Sequence, residues 1–313
     1  MKKEFKIVDE KNKIVRITTD DERFYFKPVI DKETMIPSYQ PFPSTTWVCN
    51  VGYPKSSFLL KWREEVGTDE ADRRKKEGGS RGSKVHYACE QIDRGEDIDI
   101  RTAKFLNPNN GQEEELTAEE IVMVMNYIKF REEKETTLLA NELVSFSDIT
   151  AGTIDKIFAF PTIMPTIRQI WIVDIKTAKN ISREYELQSS DYSHMNIDYK
   201  KLGITDEEWK NRKIGILRLD MGVNHKWDLK EIEDCYDFFR NSVYPTWKDI
   251  CGNTQPKQYE LPLILKSEYC KSQSEQATKT PPDAQKGVKV ATIVEKGSSS
   301  TPTPKTNKIK QTK

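Results

Sequence analysis

Apolar and polar residues alternate with a period of two over the first thirty positions. "EFKIVD", "IVRITT" and "RFYFKPV" read as strands, and "EKNK" reads as a hairpin turn between the first two. The period changes after "PSTTWVCNVG". In "SSFLLKWREEVG", Phe58, Leu59 and Trp62 fall at helical spacing behind a serine suited to cap a helix. "DEADRRKKEGGSRGSKVHYACEQIDRGE" predicts a charged helix, a break at the glycines, and a second helix ending near Gly95 with Val85, Cys89 and Ile92 buried. "TAEEIVMVMNYIKFREEK" predicts a further helix. Thr117 and Glu120 form its capping box, and Ile121, Val124, Met125 and Ile128 its apolar stripe.

Three strand-like runs come next: "TLLANELVSFS", "TAGTIDKIFAF" and "QIWIVDIKT". Residues 183–199 predict a helix, and "DLKEIEDCYDFFRNSVYPTWKDIC" a last long one. No internal repeat is present. Helix, three consecutive strands, then helix predicts an α/β or α+β core, a small mixed sheet with an antiparallel hairpin flanked by helices. The expected domains are a β-rich extension over residues 1–43, a main domain over 44–270 and a tail over 271–313.

Composition narrows the function. The chain has 313 residues, enough for a sizeable core, and 50 basic against 50 acidic residues. Residues 271–313 hold nine lysines against Glu275, Asp283 and Glu295, so the body before them is net acidic. That balance excludes coating nucleic acid by bulk charge and leaves a local basic groove as the means of binding DNA. The tail is rich in Ser, Thr, Pro and Lys, which predicts disorder. No apolar run approaches the roughly 20 residues of a membrane span. "MKKEFKIVDEKNK" lacks the apolar region of a secretory signal. Five cysteines without a CxxC pair suit a reducing cytoplasm.

The chemistry concentrates at a strand end. In "RQIWIVDIKTAKN" the apolar run ends with Asp174 and Lys176 on one face and Ile175 on the other. Such charges at the end of a core strand need partners, and a salt bridge is the simplest. A hairpin folded about Met164 and Pro165 sets Asp155 opposite position 174 or 175, according to register. In the first register two carboxylates share a face and repel unless a cation sits between them, as in an all-oxygen Mg²⁺ or Mn²⁺ site. In the alternative, Asp155 pairs with Lys156 or Lys176 on a solvated edge. Upstream, His86 and Glu90 share a helix face, and downstream so do Gln188 and Tyr192.

The ordered set is Gly-x-x-x-His, Gly-x-x-Asp on a strand, Asp-x-Lys on the next, and Gln-x-x-x-Tyr on a helix. It resembles the PD-(D/E)XK nuclease superfamily, specifically the RecB-like exonucleases of bacteria and double-stranded DNA phages. The resemblance runs from about Arg23 to Tyr192, through "RFYF…PSTTWV", "RGSKVHYACEQIDRGE", "ITAGTIDKI", "IVDIKT" and "LQSSDY". It implies a restriction-endonuclease-like core and a metal-dependent DNA nuclease acting on linear single- or double-stranded ends in recombination, repair or replication. The compartment it implies is the cytoplasm, that of the bacterial host if the chain is phage-encoded. By the same resemblance His86, Asp155, Asp174 and the Ile175 carbonyl ligate Mg²⁺ or Mn²⁺, and Glu90 reaches a second ion through water. Lys176 activates water as a base of lowered pKa, and Gln188 and Tyr192 position the phosphate and the lysine. Glu142, on the preceding strand, is a further acidic candidate. Some relatives add a four-cysteine iron–sulfur cluster, but Cys235, Cys251 and Cys270 are too widely spaced after Cys49 to favour one. The alternatives are a non-catalytic DNA-end-binding protein and a structure-specific endonuclease. The tail is a candidate contact for recombination or replication proteins.

Overall fold

The period-two segments form the first layer. Strands β1 (Glu4–Asp9), β2 (Ile14–Thr18), β3 (Arg23–Ile30) and β4 (Pro37–Pro43) make an antiparallel sheet in that order. The computed structural model describes residues 4–30, 37–163, 167–219, 227–252 and 255–261. By internal contacts the chain divides at residue 263, and every described residue lies in the first unit. The tail, Cys270, Met164 and Pro165 fall outside the described residues. Strand β4 was not expected, because "PSYQPFP" holds three prolines. It pairs with β3 alone, as an edge, where a missing N–H can face away from the ladder. Val15, Ile17, Phe24 and Phe26 bury one face of this sheet, against Trp47.

Trp47 belongs to α1 (Thr45–Gly52), followed by α2 (Ser57–Val66) and α3 (Thr68–Asp93). The expected break at Gly78 and Gly79 is absent, and α3 runs unbroken for 26 residues. Ion pairs of Glu70 with Arg73 and Arg74, at i,i+3 and i,i+4 spacing, support its first turns, and Val85, Ala88 and Cys89 anchor its far end in the core. After the hairpin β5 (Phe105–Asn107) and β6 (Gln112–Glu114), helix α4 (Ala118–Glu133) opens with the expected Thr117–Glu120 capping box. Its buried face is turned from the expected stripe: Met123, Val124, Tyr127 and Phe130 are inside and Met125 is exposed. The aromatic pair sets that rotation, with Phe130 edge-on to Phe158 of the main sheet.

The main sheet joins β7 (Thr137–Phe146), β8 (Ala151–Phe160), β9 (Gln169–Lys176), β10 (Lys213–Arg218) and β11 (Asp228–Glu231), ordered β11-β10-β9-β8-β7. β7, β8 and β9 form antiparallel pairs, and β10 runs parallel to β9 after a crossover through α5 (Arg183–Ser193) and α6 (Asp206–Lys210). Two expectations change here. "KIGILR" is a strand, β10, and "DLKE" is a strand, β11, rather than the start of the last helix. That helix consists of α7 (Tyr236–Phe238), a π turn (Phe239–Val243) and α8 (Tyr244–Cys251). The wide turn comes just before Pro245, whose ring removes a regular helical bond. Helix α5 also ends before residue 199, since the Asn196 amide leaves it to bond the Phe146 carbonyl at 2.8 Å.

The apolar run of β9 is buried on both faces. Val173 and Ile175 join Phe158 and Leu217 against α3 and α4, while Ile170 and Ile172 join Ile157, Tyr192 and Met195 on the α5 side. Asp191 of α5 locks the layers together, accepting from Thr45 Oγ1 at 2.6 Å and Thr150 Oγ1 at 2.7 Å. Burial raises its carboxyl to about 6. The described chain is a mixed α+β fold with antiparallel pairing, flanked by helices. Among the described residues no helix is long and apolar enough to cross a membrane.

One buried network ties α3 and α4 to the sheet. Lys156 Nζ donates to Asp93 Oδ2 at 2.5 Å and to Asn141 Oδ1 at 2.6 Å, and Tyr127 and Arg131 also donate to Asp93. Removing one partner strands a buried charge. Asp93→Ala is expected to cost about 3–5 kcal/mol in urea denaturation. Adding Lys156→Met should recover much of that loss.

Candidate metal centre and its cleft

Register decides which charges meet. The β8–β9 ladder pairs Lys156 with Val173 and Ile157 with Ile172, so the same register sets Asp155 opposite Asp174. Both point to the face that Ile157 and Ile172 share. On the other side β7 pairs Leu143 with Ile154 and Asn141 with Lys156, which sets Glu142 opposite Asp155. Three carboxylates on adjacent strands therefore converge. The edge alternative, a pair between Asp155 and Lys156, does not form, because Lys156 points to the opposite face and is held by Asp93.

His86 arrives from α3. Its ring and the carboxylates of Glu142 and Asp155 bring ligand atoms within 4.8 Å of one another. Nδ1 lies 3.7 Å from Asp155 Oδ2 and 3.9 Å from Glu142 Oε1. Nε2 lies 3.1 Å from the Ile175 carbonyl, which can only accept, so Nε2 carries a proton and Nδ1 faces the carboxylates. The Ile175 carbonyl, expected as a ligand, accepts from the imidazole in this structure, a contact that orients the ring. The Ile175 amide donates to Asp155 Oδ2 at 2.8 Å and fixes that carboxylate where the ladder ends.

Asp174 is buried, and neither of its oxygens has a partner of hydrogen-bond geometry, although Lys176 Nζ stands 2.5 Å from Oδ2. Orphaned buried carboxylate oxygens are rare in a finished site. The ligand atoms of His86, Glu142 and Asp155 could together hold a metal ion, while Asp174 lies outside that group, beside Lys176. Glu90 lies outside this cluster of ligand atoms. The helix carries it toward solvent, where it pairs with Arg94 Nη1 at 2.8 Å. Glu142, the further acidic candidate on the preceding strand, belongs to the cluster. Its backbone lies at φ 48°, a left-handed conformation costly for a side-chain-bearing residue in a strand. Sequence reading undervalued Glu142 because its role depends on that local twist.

The charges show the strain of the cluster. Burial would lower the His86 pKa, but Asp155 and Glu142 outweigh it and raise it to about 9. Burial and the nearby Asp155 raise Asp174 to about 6, against the pull of Lys176. Burial would likewise lower Lys176, yet with no metal bound Asp174 and Asp155 hold it above its ordinary value.

Helix α5 supplies the far wall. Gln188 Nε2 donates to the Tyr192 hydroxyl at 2.8 Å, four residues apart on one helix face. The Tyr192 ring lies against β8 at Gly152, where a Cβ would sit 2.3 Å from the Tyr192 Cε1 atom. The glycine of Gly-x-x-Asp thus makes room for the Gln188–Tyr192 pair. All these groups except Ile175 and Glu90 line one cleft of about 420 Å³. Lys6, Arg16, Arg23 and Tyr25 of the N-terminal sheet form its opposite wall, which sequence reading missed. The only signal was basic residues at alternate positions in β1 to β3. Cys49, Cys235 and Cys251 share an apolar cluster with Trp247, apart from this cleft.

No family model matches this chain, and no curated protein matches it.

The raised His86 pKa gives a pH signature. Folding takes up a proton at His86 between pH 6.5 and about 9, so this stabilisation is complete below 6.5 and lost as pH rises through 9. Without divalent ions, the melting temperature should fall across that window, and Mn²⁺ should restore it most at the alkaline end. Differential scanning calorimetry checks both. Gly152→Ala should displace Tyr192 and cost about 1–3 kcal/mol in chemical denaturation, as overpacking in a close-packed interior does.

Proposed function

We propose that this chain is a divalent-cation-dependent DNA nuclease of the PD-(D/E)XK type, hydrolysing phosphodiester bonds from linear ends as an exonuclease. One observation carries the reading. Asp155 and Asp174 share a face on adjacent strands, with His86 and Glu142 beside the first and Lys176 beside the second. The mixed sheet between helices, with its antiparallel hairpin, supports the same reading.

A divalent cation held by His86, Glu142, Asp155 and Asp174 would supply Lewis-acid polarisation of the scissile phosphoryl oxygen. The protein's own groups divide the remaining work. Lys176, kept charged by Asp174 and Asp155, offsets charge developing on the phosphoryl oxygens and orients the attacking water. Tyr185 packs under its ammonium, 4.8 Å from ring centroid to Nζ, and limits its swing. Gln188 and Tyr192, locked to each other, present polar hydrogens to the strand beside the cluster. Ile175 holds both the Asp155 carboxylate and the His86 ring through its backbone, so the site is set before substrate enters.

The test uses linear DNA labelled at one end and a covalently closed circle, each with Mg²⁺. The wild type should degrade the linear substrate and spare the circle. Asp174→Ala and Lys176→Ala should each lower the rate by about a hundredfold or more while keeping the melting profile of a folded protein. Cutting of the circle would replace the exonuclease reading with an endonuclease. DNA-end binding without hydrolysis by the wild type, or undiminished digestion by both variants, would overturn the catalytic reading.

A further inference from the structure

One face of the N-terminal sheet is apolar, and the other carries both the Ile14, Tyr25 and Phe42 cluster against the main sheet and the charged residues that border the cleft. Val15, Ile17, Phe24 and Phe26 turn inward. Between them, at alternate positions, Arg16, Thr18, Arg23 and Tyr25 turn to the cleft, with Lys6 and Glu4 beyond. Register places Lys6 opposite Arg16, Arg16 opposite Tyr25, and Thr18 opposite Arg23. Arg16 and Arg23 are thus diagonal neighbours, at a separation long side chains can bridge.

These groups are short of partners. Nε of Arg16, Nε of Arg23 and Oγ1 of Thr18 are all buried without a hydrogen-bond acceptor. Arg16 bonds the Tyr25 hydroxyl and has one weak ion pair, Nη2 to Glu4 Oε1 at 3.5 Å, and Lys6 donates to the Tyr87 hydroxyl at 3.2 Å. Three orphaned donors on one sheet face, turned to the same space, call for an acceptor that approaches through that space. Lys6, Arg16 and Arg23 make this wall cationic, with Glu4 as the acid among them. Burial would raise the Tyr25 phenol, yet Arg23 and Arg16 pull it below its ordinary value. The acceptor is therefore an anion. Paired guanidinium forks match a phosphate better than they match a single carboxylate.

The position of the wall selects among phosphates. Tyr25 is hydrogen-bonded to Thr153 at 3.1 Å, two residues before Asp155, so the basic face is fixed to the strand that carries the cluster. Helix α3 lines the same cleft with Gly79, Gly82, Ser83, His86 and Tyr87, and a Cβ at Gly79 would meet nothing within 4 Å. The basic residues and the acidic cluster therefore line one continuous cleft.

We propose that Arg16 and Arg23, assisted by Lys6 and Thr18, form a phosphate subsite that holds a nucleic-acid phosphate next to the one at the acidic cluster. The proposal rests on the nuclease reading for its ligand class. The phosphate is either a terminal monoester or an internal diester of the same strand.

Fluorescence anisotropy in EDTA tests it without hydrolysis. The probes are short single-stranded oligonucleotides with a 5′-phosphate, with a 3′-phosphate or with neither. The Arg16→Gln/Arg23→Gln double variant should bind about tenfold or more weakly. Its dependence of log affinity on log salt should fall by about 1. Arg23→Lys, which keeps the charge, should retain more affinity than Arg23→Gln at the same melting temperature. A loss confined to one phosphorylated probe identifies the terminal monoester as the ligand, and an equal loss on all probes identifies the internal diester. Equal binding by wild type and double variant, or no binding by the folded wild type, overturns the subsite. Arginine-dependent binding by a wild type that hydrolyses nothing in Mg²⁺ would keep the subsite and remove the nuclease reading.

Discussion

The pairing of β8 with β9 in one register, and not its neighbour, is the constraint on which the rest depends. A shift by one residue would turn Asp174 and Lys176 into the α3–α4 core and bring Val173 and Ile175 out to the cleft. The apolar pattern forbids that, because Ile157 and Ile172 are needed on the α5 side and Phe158 and Val173 on the other. Hydrophobic burial therefore sets the positions of the carboxylates. The same pairing sends Lys156 to the opposite face, where Asp93 holds it, and so removes the nearest cation that could have neutralised Asp155.

The fold leaves the resulting concentration of negative charge only partly compensated. Glu142, Asp155 and Asp174 converge, and the available counter-charges are an imidazolium at His86 and an ammonium at Lys176. Both are held above their ordinary pKa values by the acids around them. Asp174 is raised to about 6, with the Lys176 ammonium beside its Oδ2. Glu142 keeps a left-handed backbone to face the cluster. Each of these costs stability, and a divalent cation would relieve all of them except the backbone strain. Across the cleft the imbalance reverses, with Arg16 and Arg23 short of acceptors. An acidic cluster and basic residues in one cleft are complementary to a cation and a polyanion bound together, which is what the proposed function requires.

Much of this was legible in the sequence where periodicity is strong. The strands of "TAGTIDKIFAF" and "QIWIVDIKT" and the Thr117 capping box arise from local pattern, and with them the choice between two registers. The chosen register was not legible, since it depends on packing of both sheet faces. Strands β10 and β11 were missed because "KIGILR" and "DLKE" are short and gain their strand character from pairing beside β9. The glycines of α3 misled, because a helix anchored at both ends tolerates residues that would end a free one. Glu90 misled for a related reason. Its spacing from His86 places both on one helix face, but only contact with the sheet distinguishes the residue that reaches the strand ends from the one that meets Arg94. Arg16 and Arg23 carried no motif at all, and their meaning comes from the face of a separate sheet turning to the same cleft.

The most direct test of the account is Mn²⁺ binding to the full chain by isothermal titration calorimetry near neutral pH. Saturable binding to the wild type, with protons released as His86 gives up its charge, and its loss in Asp155→Asn, is the result the account predicts. Absence of saturable binding, or identical binding by Asp155→Asn, would contradict it and leave the converging carboxylates as a structural ion-pair network.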